Sequence, residues 1–114
     1  MMRLSMSPAA SALLRALLAR AGVSRDRILL SEWRSEDWQS LTFVGERHEC
    51  ELRISGSDAA DVAARLIEGL SENEFAIPGH VVADILVIGK PAVQVDGAVC
   101  LRIEALTIAD GSAQ

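Results

Sequence analysis

The chain has 114 residues with a formal charge of −5, and half of its residues are hydrophobic. A chain this apolar buries enough surface to fold, which excludes a disordered protein. Its length predicts one domain spanning residues 1–114, with 1–7 and 110–114 frayed at the ends. The 16 acids against 11 bases argue against nucleic-acid binding, because affinity for phosphate backbones comes mainly from clustered Lys and Arg.

Several functional classes lack their sequence signatures. Cys50 and Cys100 form no CxxC pair and give neither a disulfide framework nor a zinc-ribbon spacing. No apolar run reaches the ~20 residues that a membrane span needs. The motifs GxGxxG, GxxxxGK[ST], GxSxG and HExxH are all missing, so no residue receives a catalytic role and no cofactor or metal is predicted. We therefore expect a cytoplasmic protein with no membrane partner.

The N-terminal region predicts a helix. Its start is favoured by the capping hydroxyl of Ser7 and by the fixed φ of Pro8. Its end is favoured by Gly22, which can adopt the left-handed conformation that terminates a helix. Between them lies one apolar stripe at helical spacing: Leu13, Leu14, Leu17, Leu18 and Ala21. The first 25 residues carry four arginines and no acid, which is also typical of a mitochondrial transit peptide. We favour a helix that docks on the core, because the stripe is regular.

Residues 28–55 alternate apolar and polar side chains, often at spacings of two, which predicts strands. Ser35-Glu36-Asp37 is predicted to be a turn. Gly45-Glu46 is either a second turn or a bulge in one long strand. Ser57 and Asp58 then precede a second helix. Its apolar face comprises Ala59, Val62, Ala63, Leu66 and Leu70.

The C-terminal part predicts more strands. Residues 80–88 are too apolar for a half-solvated strand, so we expect a central one. Asp96-Gly97 predicts a hairpin, and the last strand runs to about Ile108. The order α-β-β-α-β-β, with room for an extra strand in each half, predicts an α+β fold. It is a two-layer sandwich in which a mainly antiparallel sheet carries two helices on one face.

The densest polar stretch of the chain, residues 33–51, supplies most of the candidate binding residues. They are Trp38, Glu46, Arg47 and His48. On a strand, Glu46, His48 and Cys50 share a face and could form an acid–base or metal cluster. Alternating charged residues are more often the solvated face of a strand, so we expect His48 at the surface. Replacing it should then change stability little.

His80 and Asp84 complete the candidate binding residues. Spaced four apart on a strand, they should lie on the same side as Val82, roughly 13 Å from each other at ~3.3 Å per residue. His80 is expected at the surface. A carboxylate in an apolar strand must be paired, at an edge or at an interface, which makes Asp84 the more unusual residue.

Two classes of function fit these observations. The first is a non-enzymatic binding or assembly domain that self-associates through its sheet as a homodimer. Residues 80–88 and 98–108 are largely apolar on both faces, and two short helices cover only one face. The alternative is a small enzyme or metal-binding protein that uses Glu46, His48 and His80 in a cleft near Trp38. No motif identifies a small-molecule ligand.

Overall fold

The computed structural model describes residues 6–110. Its elements are α1 (Pro8–Ala21), β1 (Ile28–Gln39), β2 (Val44–Ile54), α2 (Ala59–Ile67), β3 (His80–Val87), β4 (Ala92–Val93) and β5 (Val99–Ala109). Short 3-10 helices occupy Arg25–Arg27 and Leu70–Glu72. The ends predicted to be frayed fall largely on 1–5 and 111–114, which lie outside the described residues. Within 6–110, no helix is long and apolar enough to cross a membrane.

The sheet has five antiparallel strands in the order β1-β2-β5-β3, with β4 paired to the start of β5. Together with the two helices, it confirms the predicted α+β fold. The central strand is β5, so the prediction that residues 80–88 form a central strand is wrong. Among residues 6–110, β3 pairs with β5 alone, and its apolar residues divide between the core and an exposed face.

Both helices cover the same face of the sheet. Leu17 of α1 and Leu66 of α2 are fully buried in one cluster with Leu52 of β2 and Leu101 of β5. The predicted signals that bound α1 are confirmed. The hydroxyl of Ser7 accepts the Ala10 N–H at 3.1 Å, and Gly22 adopts the left-handed conformation with φ of 70°.

The chain reverses later than the sequence predicts between β1 and β2. The predicted turn at Ser35-Glu36-Asp37 is wrong, because β1 continues through all three residues. The reversal lies at residues 40–43, where the Ser40 N–H donates to the Phe43 carbonyl oxygen at 2.9 Å. Gly45 is neither a turn nor a bulge. It pairs with Trp38 and Ile108, and a Cβ there would clash with the Thr107 carbonyl oxygen.

Two register shifts interrupt the regular alternation of side chains. One lies in β1 between Leu30 and Glu32, and the other lies in β3 between Val82 and Asp84. An extra residue in one strand moves every later side chain to the opposite face. The prediction that Asp84 shares a side with His80 and Val82 is therefore wrong.

The predicted hairpin before β5 is confirmed. Ala98 N–H donates to Asp96 Oδ1 at 3.1 Å, Gln94 N–H donates to the Ala98 carbonyl at 2.7 Å, and Gly97 has φ of 88°. Only glycine adopts this φ at no steric cost. The hairpin places β4 beside the first residues of β5.

Candidate functional site

The sheet separates the six predicted site residues into two groups. Glu46, His48 and His80 lie on the face covered by the helices, in register with the inward residues of β5. Trp38, Arg47 and Asp84 lie on the uncovered face. The cleft predicted to combine His48 with Trp38 is therefore not formed, because the sheet itself lies between them.

His48 is 1% exposed and joins a hydrogen-bonded chain across three strands. Its Nδ1 lies 2.7 Å from Ser35 Oγ, and its Nε2 lies 2.9 Å from Thr107 Oγ1. Trp33 Nε1 donates to Ser35 Oγ at 2.8 Å. A neutral imidazole donates from one ring nitrogen and accepts at the other, so one of the two hydroxyls donates to the His48 ring and the other accepts from it.

Burial holds this imidazole in its neutral form. Loss of solvent lowers the pKa of His48, the carboxylate of Glu46 opposes that shift, and His80 adds to it. Glu46 Oε1 lies 3.9 Å from His48 Nε2. Both ring nitrogens are occupied by hydroxyl groups, so neither offers a free lone pair to a metal or a substrate. The expectation that His48 is a surface residue is wrong, because its face of β2 points at the helices.

The neighbours of His48 are also engaged in structure. Glu46 Oε1 accepts a 2.6 Å hydrogen bond from Ser7, the residue that caps α1. Burial raises the pKa of Cys50 to about 12, which keeps its thiol protonated and unreactive. His80, partly buried, has Nδ1 3.0 Å from the Pro78 carbonyl oxygen. Residues 6–110 contain no group of three His, Cys, Asp or Glu that could hold a metal.

The β1–β2 half of the uncovered face carries a network of ion pairs. Arg34 and Arg102 bind Glu49 at 2.6 and 2.8 Å, and this contact lowers the pKa of that carboxyl. Glu32 and Glu51 lie 3.6 Å from Arg102, and Arg47 lies 3.6 Å from Glu104. Exposed pairs of this kind contribute little to the stability of a single chain, and Arg47 is an exposed member of the network.

The end of the same face formed by β3, the last residues of β5 and Trp38 of β1 is apolar apart from Asp84. We define the apolar patch as Trp38, Val81, Leu86, Leu106 and Ile108. Val81 pairs with Ile108, which also pairs with Gly45 beside Trp38. Val81 is 51% exposed and Leu86 39%.

Sequence reasoning selected Trp38 and Asp84 in this region but missed Leu106 and Ile108. The available signal was the change along one face of β5 from Arg102 and Glu104 to Leu106 and Ile108. Comparison of the chain with protein-family models, with curated proteins and with solved structures finds no match. The geometry of the two faces therefore carries the functional assignment.

Proposed function

We propose that the protein is a non-enzymatic assembly domain that forms homodimers through the apolar patch on the uncovered face of its sheet. The observation that carries the proposal is the exposure of Val81 and Leu86 on the same face as Leu106 and Ile108, with Asp84 as the charged residue between them on β3. Removing such side chains from water is favourable, by roughly 25 cal/mol per Å² of apolar surface. Contiguous exposed apolar surface of this kind marks interaction sites.

The charges around the patch favour a second copy as the partner. Leu106 pairs with Arg47 on one side and with Asp84 on the other. A two-fold axis that runs along β5 at Leu106 brings Asp84 of each copy towards Arg47 of the other. Such self-complementary surfaces are what two-fold dimers use. This arrangement also gives Asp84 the interface position expected of a carboxylate in an apolar strand.

The alternative, an enzyme or metal site built on His48, has weaker support. The two nitrogens of His48 are held by Ser35 and Thr107, and Trp38 lies on the opposite face. The cysteines Cys50 and Cys100 are both free, which suits a reducing compartment. We accordingly propose a cytoplasmic location for the assembly domain.

The test is the mass of the protein in solution, measured by light scattering over a range of micromolar concentrations. We expect at least two chains for the wild type and a lower mass for Leu86→Asp, because a carboxylate in the patch opposes its burial. Val95→Asp is the matched control, since Val95 is fully exposed in the hairpin before β5 and outside the patch. A wild-type mass of one chain that does not rise with concentration would sink the proposal.

A further inference from the structure

β1 forms a long free edge of the sheet. It spans 12 residues and, within residues 6–110, pairs with β2 alone. The Ser40–Phe43 hydrogen bond fixes the alternation of the ladder, so the backbone groups of Glu32, Arg34 and Glu36 point at β2. Those of Trp33, Ser35 and Asp37 consequently point away from the sheet. A row of free donors and acceptors of this kind is a template for pairing with another strand.

The helix-covered side of this edge is incompletely packed. Leu30 and Trp33 are partly buried, and they line a hollow of about 120 Å³ together with Met6, Ser31 and Glu32. A strand added beside β1 would cover both apolar side chains.

The charges of β1 decide which strand fits. On the uncovered face, Glu32, Arg34 and Glu36 alternate in sign along the edge. The side chains of Arg34 and Glu32 are 58% and 48% exposed, respectively. Charges on an edge strand exclude most partners, and like charges directly opposite each other are destabilising. An antiparallel copy of the same strand can place opposite charges against each other.

We propose that β1 pairs antiparallel with β1 of a second copy, centred on Ser35, so that Arg34 of each chain lies opposite Glu36 of the other. Trp33 then lies opposite Asp37, and all three outward-pointing residues take part in the ladder. Centring on Arg34 would instead place Arg34 opposite Arg34 and Glu32 opposite Glu36, so that like charges face each other on the uncovered side. Centring on Trp33 would run into the bulge between Leu30 and Glu32.

This contact rests on the proposed self-association and adds a second interface, at the edge of the sheet instead of its face. The two contacts use different strands, so each can be removed alone. With both present, the edge pairing joins two sheets into one and the apolar patches join two such sheets. We therefore expect the wild type to form a larger assembly than either contact gives alone.

The test uses Leu86→Asp as the starting protein, so that the edge contact is measured by itself. We expect a mass of two chains, falling to one when either Arg34→Glu or Glu36→Arg is added. An equimolar mixture of those two double variants should return to two chains, because the strands then carry opposite charges at both paired positions. Arg15→Glu removes the same charge from an exposed position on α1 and should leave two chains.

A single-chain mass for Leu86→Asp would overturn the edge contact and leave the face contact standing, provided that the wild type is dimeric. Two-chain masses for both charge variants would also overturn it. A monomeric wild type would overturn both proposals.

Hydrogen exchange of the wild type tests the same register without any variant. The amides of Trp33, Ser35 and Asp37 should gain protection as concentration rises, whereas those of Arg34 and Glu36 should be protected throughout by β2. Unchanged exchange at the three outward amides would contradict the pairing.

Discussion

On the helix-covered face, His48 lies between Ser35 and Thr107, whereas on the uncovered face the next residue, Glu49, lies between Arg34 and Arg102. The first group is buried and neutral, and a hydroxyl lies at each of the two ring nitrogens. The second group is charged and open to water. Adjacent residues of one strand therefore lie in opposite environments, His48 in the protein interior and Glu49 facing water. Each side chain has two partners, but the contacts of the buried residue contribute more to the free energy of unfolding than those of the exposed one.

The largest expected effect compares two leucines on the two faces. Leu66→Ala should lower the free energy of unfolding by roughly 2–5 kcal/mol, because Leu66 is fully buried and its removal leaves a cavity. Leu86→Ala should cost far less in the monomer, since Leu86 is already 39% exposed. Urea denaturation of both variants measures the difference. Equal losses would mean that the patch belongs to the core of each chain.

Removing the buried imidazole should have the next largest effect. His48→Ala leaves a cavity and deprives Ser35 and Thr107 of their partner, which together should lower stability by roughly 2–4 kcal/mol. Glu49→Ala should have a smaller effect that shrinks further with added salt. Urea denaturation at low and high salt checks both. A salt-dependent loss in His48→Ala would contradict the neutral assignment.

The buried imidazole of His48 should also make the stability of the fold sensitive to acid. The folded pKa of His48 is lowered, mainly by burial. Below about pH 6.5, His48 binds a proton in the unfolded chain but stays neutral in the folded chain. The free energy of unfolding therefore falls as the pH drops through that value. Above it His48 is neutral in both states and contributes no pH dependence. In urea denaturation between pH 7.5 and 5.5, the free energy of unfolding should fall less steeply with decreasing pH in His48→Gln than in the wild type. The same pH dependence in both proteins would contradict His48 as the source of the acid sensitivity.

The smallest effect is expected at the other histidine. His80 is partly solvated, and its ring lies beside the Pro78 carbonyl at the start of β3. His80→Ala should change the free energy of unfolding by less than ~0.5 kcal/mol. Thermal melting of this variant beside His48→Ala separates the two histidines. A loss at His80 as large as that at His48 would place it in the same buried network.

The helix caps, the Asp96-Gly97 turn and the α+β order could be predicted from the sequence, because each depends on neighbouring residues. A capping hydroxyl at Ser7, a positive φ at Gly22 or Gly97 and an apolar stripe in α1 are local choices of the chain. They require no knowledge of what the element packs against. Physical chemistry within a few residues therefore determined where α1 begins and ends and where α2 begins. It did not determine the end of α2, which stops at Ile67 and leaves Leu70, predicted on its apolar face, in a separate 3-10 helix.

The positions of the site residues depend on contacts between segments that are far apart in the sequence. Which strand is central follows from pairings between distant segments, and β5 could be identified only once β2, β3 and β4 were all placed beside it. The bulge between Val82 and Asp84 has no local signal, yet it moves Asp84 to the uncovered face. The burial of His48 likewise depends on the helices that cover its face of the sheet. Tertiary structure decided these points, because the face on which a strand residue lies is set by long-range register.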